Sequence, residues 1–173
     1  MLVRRRFHWP EAQLNFWLIF MLSASACSLG FFAWFISLQQ TLKLGIPWYF
    51  PYMVTVGSLG VVFIVLIIVL VSQRSLLPGI VMLGTFIMFV LFLTGLIETS
   101  IVLFGSSGNV NSNCSEYVTG QVFSGQSVDT LAYLTQLTIC NVWKAAFAWE
   151  IIGTVFLVWM FVMAWQVQQD MDE

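Results

Sequence analysis

The chain is poor in charge. Lys and Arg number 6, Asp and Glu 8, and charged residues make up 8% of its 173 residues. An ordinary soluble domain carries about 25%, so this sequence lacks the material for a water-facing surface. The net charge of −2 supplies no basic face, which argues against a nucleic-acid partner. Histidine is almost missing. The single one, His8, stands in the N-terminal segment, away from any nucleophile. There is no HExxH, no paired-His set for haem, no CxxC and no Asp-His-His-Cys acyltransferase motif. Gly57 and Gly60 are not followed by a phosphate-binding spacing. These absences leave no nucleophile–base pair and no ligand set, so the expectation is a non-enzyme with no cofactor other than bound lipid.

What the chain has is apolar length. Hydrophobic residues make up 60% of it, in four long runs. At ~20 residues per crossing, they predict membrane helices at about 13–38, 52–71, 76–104 and 141–167. The expected architecture is therefore all-α: one integral membrane four-helix bundle over the 173 residues. Ser23-Ala24-Ser25-Ala26 resembles a signal-peptide cleavage site. The apolar run continues through Phe31 to Ile36, however, so the first helix is read as retained. Trp48, Tyr49 and Tyr52 stand where an interfacial aromatic belt belongs, and Pro78 suits the first turn of the third helix. The stretch from Val61 to Val71 has no polar side chain and reads as lipid-facing.

The polar residues give the orientation. An even number of crossings puts both termini on one side. Arg4, Arg5, Arg6 and Arg74 then share a side and Lys43 lies opposite. Basic flanks stay inside, so the termini are expected in the cytosol and the 105–140 loop outside it. An oxidising exterior would let Cys114 and Cys140 pair, while Cys27 reads as a small packing residue within the first helix. Asn113-Cys114-Ser115 is formally a glycosylation acceptor. Leu131 to Leu134 reads as a short helical turn lying on the membrane.

Three charges fall inside predicted helices: Glu98, Lys144 and Glu150. Such groups are costly in lipid and point to a partner or a function. Counted from the expected helix ends, Glu98 and Lys144 lie at similar depth, so an ion pair between them is the simplest expectation. Glu150 is deeper and would hydrogen-bond within the bundle or meet another protein. On the first helix, Ser23, Ala26, Cys27, Gly30, Ala33 and Ser37 recur at three- and four-residue spacing. A small-residue stripe of this kind lets helices approach closely in lipid. It is read as packing within the chain, with a dimer contact as the other option.

Cys140 leads into Lys144-Ala145-Ala146-Phe147-Ala148-Trp149. With four helices, cytosolic ends, a short first outer loop and a cysteine-bearing second one, the chain resembles the MARVEL-domain tetraspan proteins, the small fungal ones in particular. Tetraspanins carry a Cys-Cys-Gly in the second outer loop, and claudins place their cysteines in a large first loop; neither pattern is present. The MARVEL resemblance implies membrane organisation or service as an accessory subunit, through packing with lipids and with a larger membrane protein or copies of itself. It implies no catalytic residue. A small transporter or channel using Glu98 and Glu150 is the alternative from a different class.

Overall fold

A computed structural model describes residues 9–43, 45–73, 77–106, 109–119 and 128–169, with side chains omitted over 128–131. Arg4, Arg5, Arg6 and Arg74, on which the orientation argument rests, lie outside the described residues. The architecture is all-α, as expected. Among the described residues four helices are long and apolar enough to cross a membrane, and the chain is an integral membrane protein. They are α1 (Glu11–Thr41), α2 (Tyr49–Ser72), α3 (Pro78–Phe104) and α5 (Val128–Gln169). A single short turn of helix, α4 (Val110–Asn113), runs into a π-helical turn at Cys114–Val118.

Local chemistry sets several of the ends. Pro78 opens α3 at its first turn, where its missing N–H takes no bond from the helix. Asn109 caps α4: its Oδ1 accepts from the Ser112 amide at 2.6 Å, and its Nδ2 donates to the Gly105 carbonyl at 2.7 Å. Lys43 ends α1 in the left-handed region, with φ 54°, a position usually given to glycine.

The helices form a ring in which α1 touches α2 and α5, and α3 touches α5 and α2. The closest associations are α1 with α2 and α3 with α5, so the bundle is two helix pairs laid together. Two apolar clusters fill it. Trp17, Met21, Ile64, Phe92, Leu157 and Met160 lie toward the end where α1 starts and α5 finishes, and Phe32, Phe35, Phe50, Met53 and Trp143 toward the other. Beyond the second cluster, Cys114 and Cys140 are joined in a disulfide that packs with Val118.

The fourth apolar helix differs from expectation. It begins at Val128, not near residue 141, and runs unbroken for 42 residues. Leu131 to Leu134 is part of it rather than a separate turn. At 1.5 Å per residue α5 is about 63 Å long, roughly twice a hydrocarbon core of about 30 Å. Polar residues such as Asn141 and Thr138 mark where the apolar run stops, but nothing between Val128 and Cys140 breaks a helix: there is no proline or glycine.

Candidate functional site

The site is the polar layer between the two apolar clusters, and Glu150 is its centre. Glu150 is 1% exposed. The Thr99 hydroxyl on α3 donates to its Oε1 at 3.1 Å. Thr154, one turn along α5, donates to the Glu150 backbone carbonyl at 2.8 Å. Its second oxygen, Oε2, is buried and has no hydrogen-bond partner. Ser25 and Ser28 on α1 are equally buried, and their hydroxyls are also unpartnered. A free carboxyl oxygen and free hydroxyls in an apolar interior are unusual, because an unmade bond costs about 1–3 kcal/mol.

Glycines bring the helices close enough to form this layer. A Cβ at Gly57 would lie 2.9 Å from the Leu29 amide nitrogen and 3.0 Å from the Ser25 carbonyl oxygen. One at Gly60 would lie 2.5 Å from Ser25 Oγ. On α5, a Cβ at Gly153 would lie 2.9 Å from the Phe92 ring and 3.5 Å from the Ala24 Cβ. Backbones thus meet at van der Waals distance, the packing mode that replaces the hydrophobic drive in lipid. Gly57 and Gly60 thus serve the close approach of α1 and α2.

The structure moves the stripe on α1. Ala26, Gly30, Ala33 and Ser37 are exposed, with Ser23 and Cys27 half-buried. The buried face is instead Leu14, Trp17, Met21, Ala24, Ser25, Ser28, Phe32 and Phe35. Packing within the chain is therefore not the use of the predicted stripe. Small residues occur on both sides of α1, and the bulky Trp17, Met21, Phe32 and Phe35 decide which side turns inward.

The expected Glu98–Lys144 pair does not form. Lys144 is exposed and Glu98 half-buried. On the register set by Thr99 with Glu150 and Phe104 with Phe147, Lys144 lies about two turns beyond Glu98. Counting depth from residue 141 misplaces Lys144, because α5 begins at Val128 and position 141 is not a helix end. The aromatic belt is also reduced. Trp48 is exposed, but Tyr49 is buried, and Tyr52 donates to the Leu91 carbonyl at 3.0 Å. The Val61 to Val71 stretch divides by face: Val62, Val65, Leu66, Ile68 and Val69 point outward, Ile64 and Ile67 inward. Asn113 is exposed on α4.

Sequence reasoning singled out Glu150 but missed Ser25 and Ser28. The signal was available: both fall on the repeat 14-17-21-24/25-28-32-35, which is a heptad-like seam. Elsewhere, Phe86, Phe89, Leu157, Val158 and Phe161 line an apolar groove of about 230 Å³ between α3 and α5. Among the described residues no group of three His, Cys, Asp or Glu side chains is placed to hold a metal. No protein-family model, curated protein or solved structure matches the chain.

Proposed function

We propose that the chain is a non-enzymatic membrane-organising protein or accessory subunit, acting by lateral packing with lipid and with a larger membrane protein or copies of itself. One observation carries this reading. The outward faces of α2, α3 and α5 bear bulky aliphatic and aromatic residues such as Val62, Leu83, Phe86, Val155 and Trp159. The outward side of α1 is bulky near its start, at Phe16, Ile19 and Leu22, and again at Trp34, but between and beside them it offers a small strip, Ala26, Gly30, Ala33 and Ser37, and a Cβ at Gly30 would meet nothing within 4 Å. Bulky side chains suit contact with lipid tails, whereas a small face suits a second helix, because it lets backbones approach.

The MARVEL resemblance supports the same reading, with the termini in the cytosol and the disulfide end outside, in the plasma membrane or endomembrane system. The groove lined by Phe86, Phe89 and Phe161 suits a bound acyl chain. A transporter or channel working through Glu98 and Glu150 needs a polar path, and the layers on either side of Glu150 are packed with Phe32, Phe35 and Trp143, and with Phe92 and Met160.

Affinity purification of the native protein in a gentle detergent, with sizing and mass spectrometry, tests the reading. A fixed stoichiometry with one larger membrane protein, or with copies of itself, is the expected result, and Gly30→Leu should release the partner without unfolding the bundle. A monomer that stays monomeric, together with cation flux in liposomes that Glu150→Gln abolishes, would replace this reading with the transporter.

A further inference from the structure

Inside the membrane span, the seam between α3 and α5 carries a hollow. Phe86 and Phe89 on α3 and Leu157, Val158 and Phe161 on α5 line a groove of about 230 Å³, with no polar side chain among them. Phe86 is 53% exposed and Val158 47%, so the groove opens sideways, and what covers that side of an integral membrane protein is the bilayer. Its depth follows from both helices. At 1.5 Å per residue, Phe86 and Phe89 lie roughly 12 to 17 Å inside the start of α3 at Pro78, and Phe161 and Val158 lie the same distance inside the end of α5 at Gln169. With a hydrocarbon core of about 30 Å, the groove belongs to the leaflet on the side where α3 starts and α5 finishes, and it reaches toward the midplane.

The two ends of the seam differ. Phe104 is five helical turns from Phe86 and Phe147 about four from Phe161, so both fall on the groove side of their helices. Their rings meet edge to face, 5.5 Å apart, and bridge the seam at the far end. In the other direction the seam stays open. Gly79, two turns before Phe86 and on the same face, is exposed, and a Cβ there would meet nothing within 4 Å. Opposite it, one turn past Phe161, Trp165 is 50% exposed. A tryptophan near a helix end stands at headgroup level, with its N–H available to polar lipid groups.

These features select the occupant. A second helix with its side chains is about 10–12 Å across, and the bulky rim at Phe86 and Val158 keeps another backbone at a distance. A ligand with polar groups finds nothing to bond in the groove. Sites that take a whole small molecule measure about 300–1,000 Å³, so a smaller groove of this kind takes a segment of chain and not a fused ring system. A flexible chain in a concave slot touches walls on both sides, and gains more dispersion contact than it does on a convex helix surface.

We propose that the α3–α5 groove is a binding site for one acyl chain of a glycerophospholipid. The chain lies along the seam between Phe86, Phe89 and Phe161, and the glycerol backbone sits at the mouth between Gly79 and Trp165. The site rests on the reading of this chain as one that packs with lipid, and it gives that reading a particular lipid position.

Photolabelling of the full chain in phosphatidylcholine liposomes tests this. Three trace probes are used in turn: a phosphatidylcholine with a diazirine midway along one acyl chain, one with the diazirine close to the glycerol, and a photoreactive sterol. Labelled segments are mapped by mass spectrometry. The mid-chain probe should label the groove several-fold above Val62 and Val65, which are exposed on α2 and stand ten and seven residues from its end at Ser72. The probe activated near the glycerol should label closer to Trp165 than to Phe89. Val158→Trp fills the groove from its rim and should bring its labelling down to the α2 level. Gly79→Leu adds a side chain at the mouth, where it meets nothing of the bundle, and should lower the labelling too; if Val158→Trp does not fold, this variant decides. Equal labelling of α2 and the groove, an excess unchanged in the variants, a reversed order along the seam, or stronger labelling by the sterol would each overturn the proposal. None of these results bears on the partner release expected of Gly30→Leu, so the lipid site can fail while the packing reading stands.

Discussion

Two glycines of this chain make opposite predictions from one substitution. Gly57 has its neighbour's backbone within 2.9 Å of where a Cβ would stand, and backbone cannot step aside as a side-chain tip can. Gly57→Ala is expected to lower stability by roughly 1–3 kcal/mol through overpacking. Gly30 meets nothing, and Gly30→Ala in the isolated chain should raise stability by up to about 1 kcal/mol, the helix-propensity difference. Reversible unfolding in mixed micelles measures both. Thr99→Val removes the hydroxyl that donates to Glu150 and should cost about 1 kcal/mol, in the range of interhelical hydrogen bonds in membranes. Glu150 was legible in the sequence, because an acid in an apolar run stands out against its neighbours. Ser25 and Ser28 stand out less: they lie on the 14-17-21-24/25-28-32-35 repeat, but a serine in a membrane helix is common, and the repeat gains meaning only once the bulky Trp17, Met21, Phe32 and Phe35 are seen to turn that side inward.

At the scale of elements, the four helices could be read because each is an uninterrupted apolar run longer than a bilayer core is thick. Which face of each helix turns inward was hidden, since apolar residues surround every helix and polarity draws no stripe. The start of α5 was hidden for a related reason: polar residues end a membrane span without ending a helix. One helix end offers a direct test. Lys43 adopts a left-handed conformation, which is strained for a side chain with a Cβ by about 1–2 kcal/mol. Lys43→Gly should therefore raise the unfolding free energy by about 1 kcal/mol. A fall instead would mean that the lysine makes a compensating contact with lipid headgroups.

The whole molecule is held by packing in its apolar layers and by one covalent link outside them. The bond between Cys114 and Cys140 spans 26 residues, and on the chain-entropy model such a loop contributes about 3 kcal/mol. Cys140→Ser should remove that stability and abolish the reduction-dependent change in gel mobility expected of the wild type. A mobility indifferent to reductant in the wild type would contradict the bond.

That bond sits on a helix with no joint. From Cys140 to Glu150 α5 runs ten residues, about 15 Å, without glycine or proline to absorb a bend. The capping segment and the buried acid are thus mounted on one continuous helix, the first fastened by sulfur and the second held by the Thr99 hydroxyl. A pull on the cap cannot dissipate in a hinge. It passes along the shaft toward the layer where Thr99 meets Glu150, so a load on the cap at one end of the bundle is geared to the polar contact between α3 and α5.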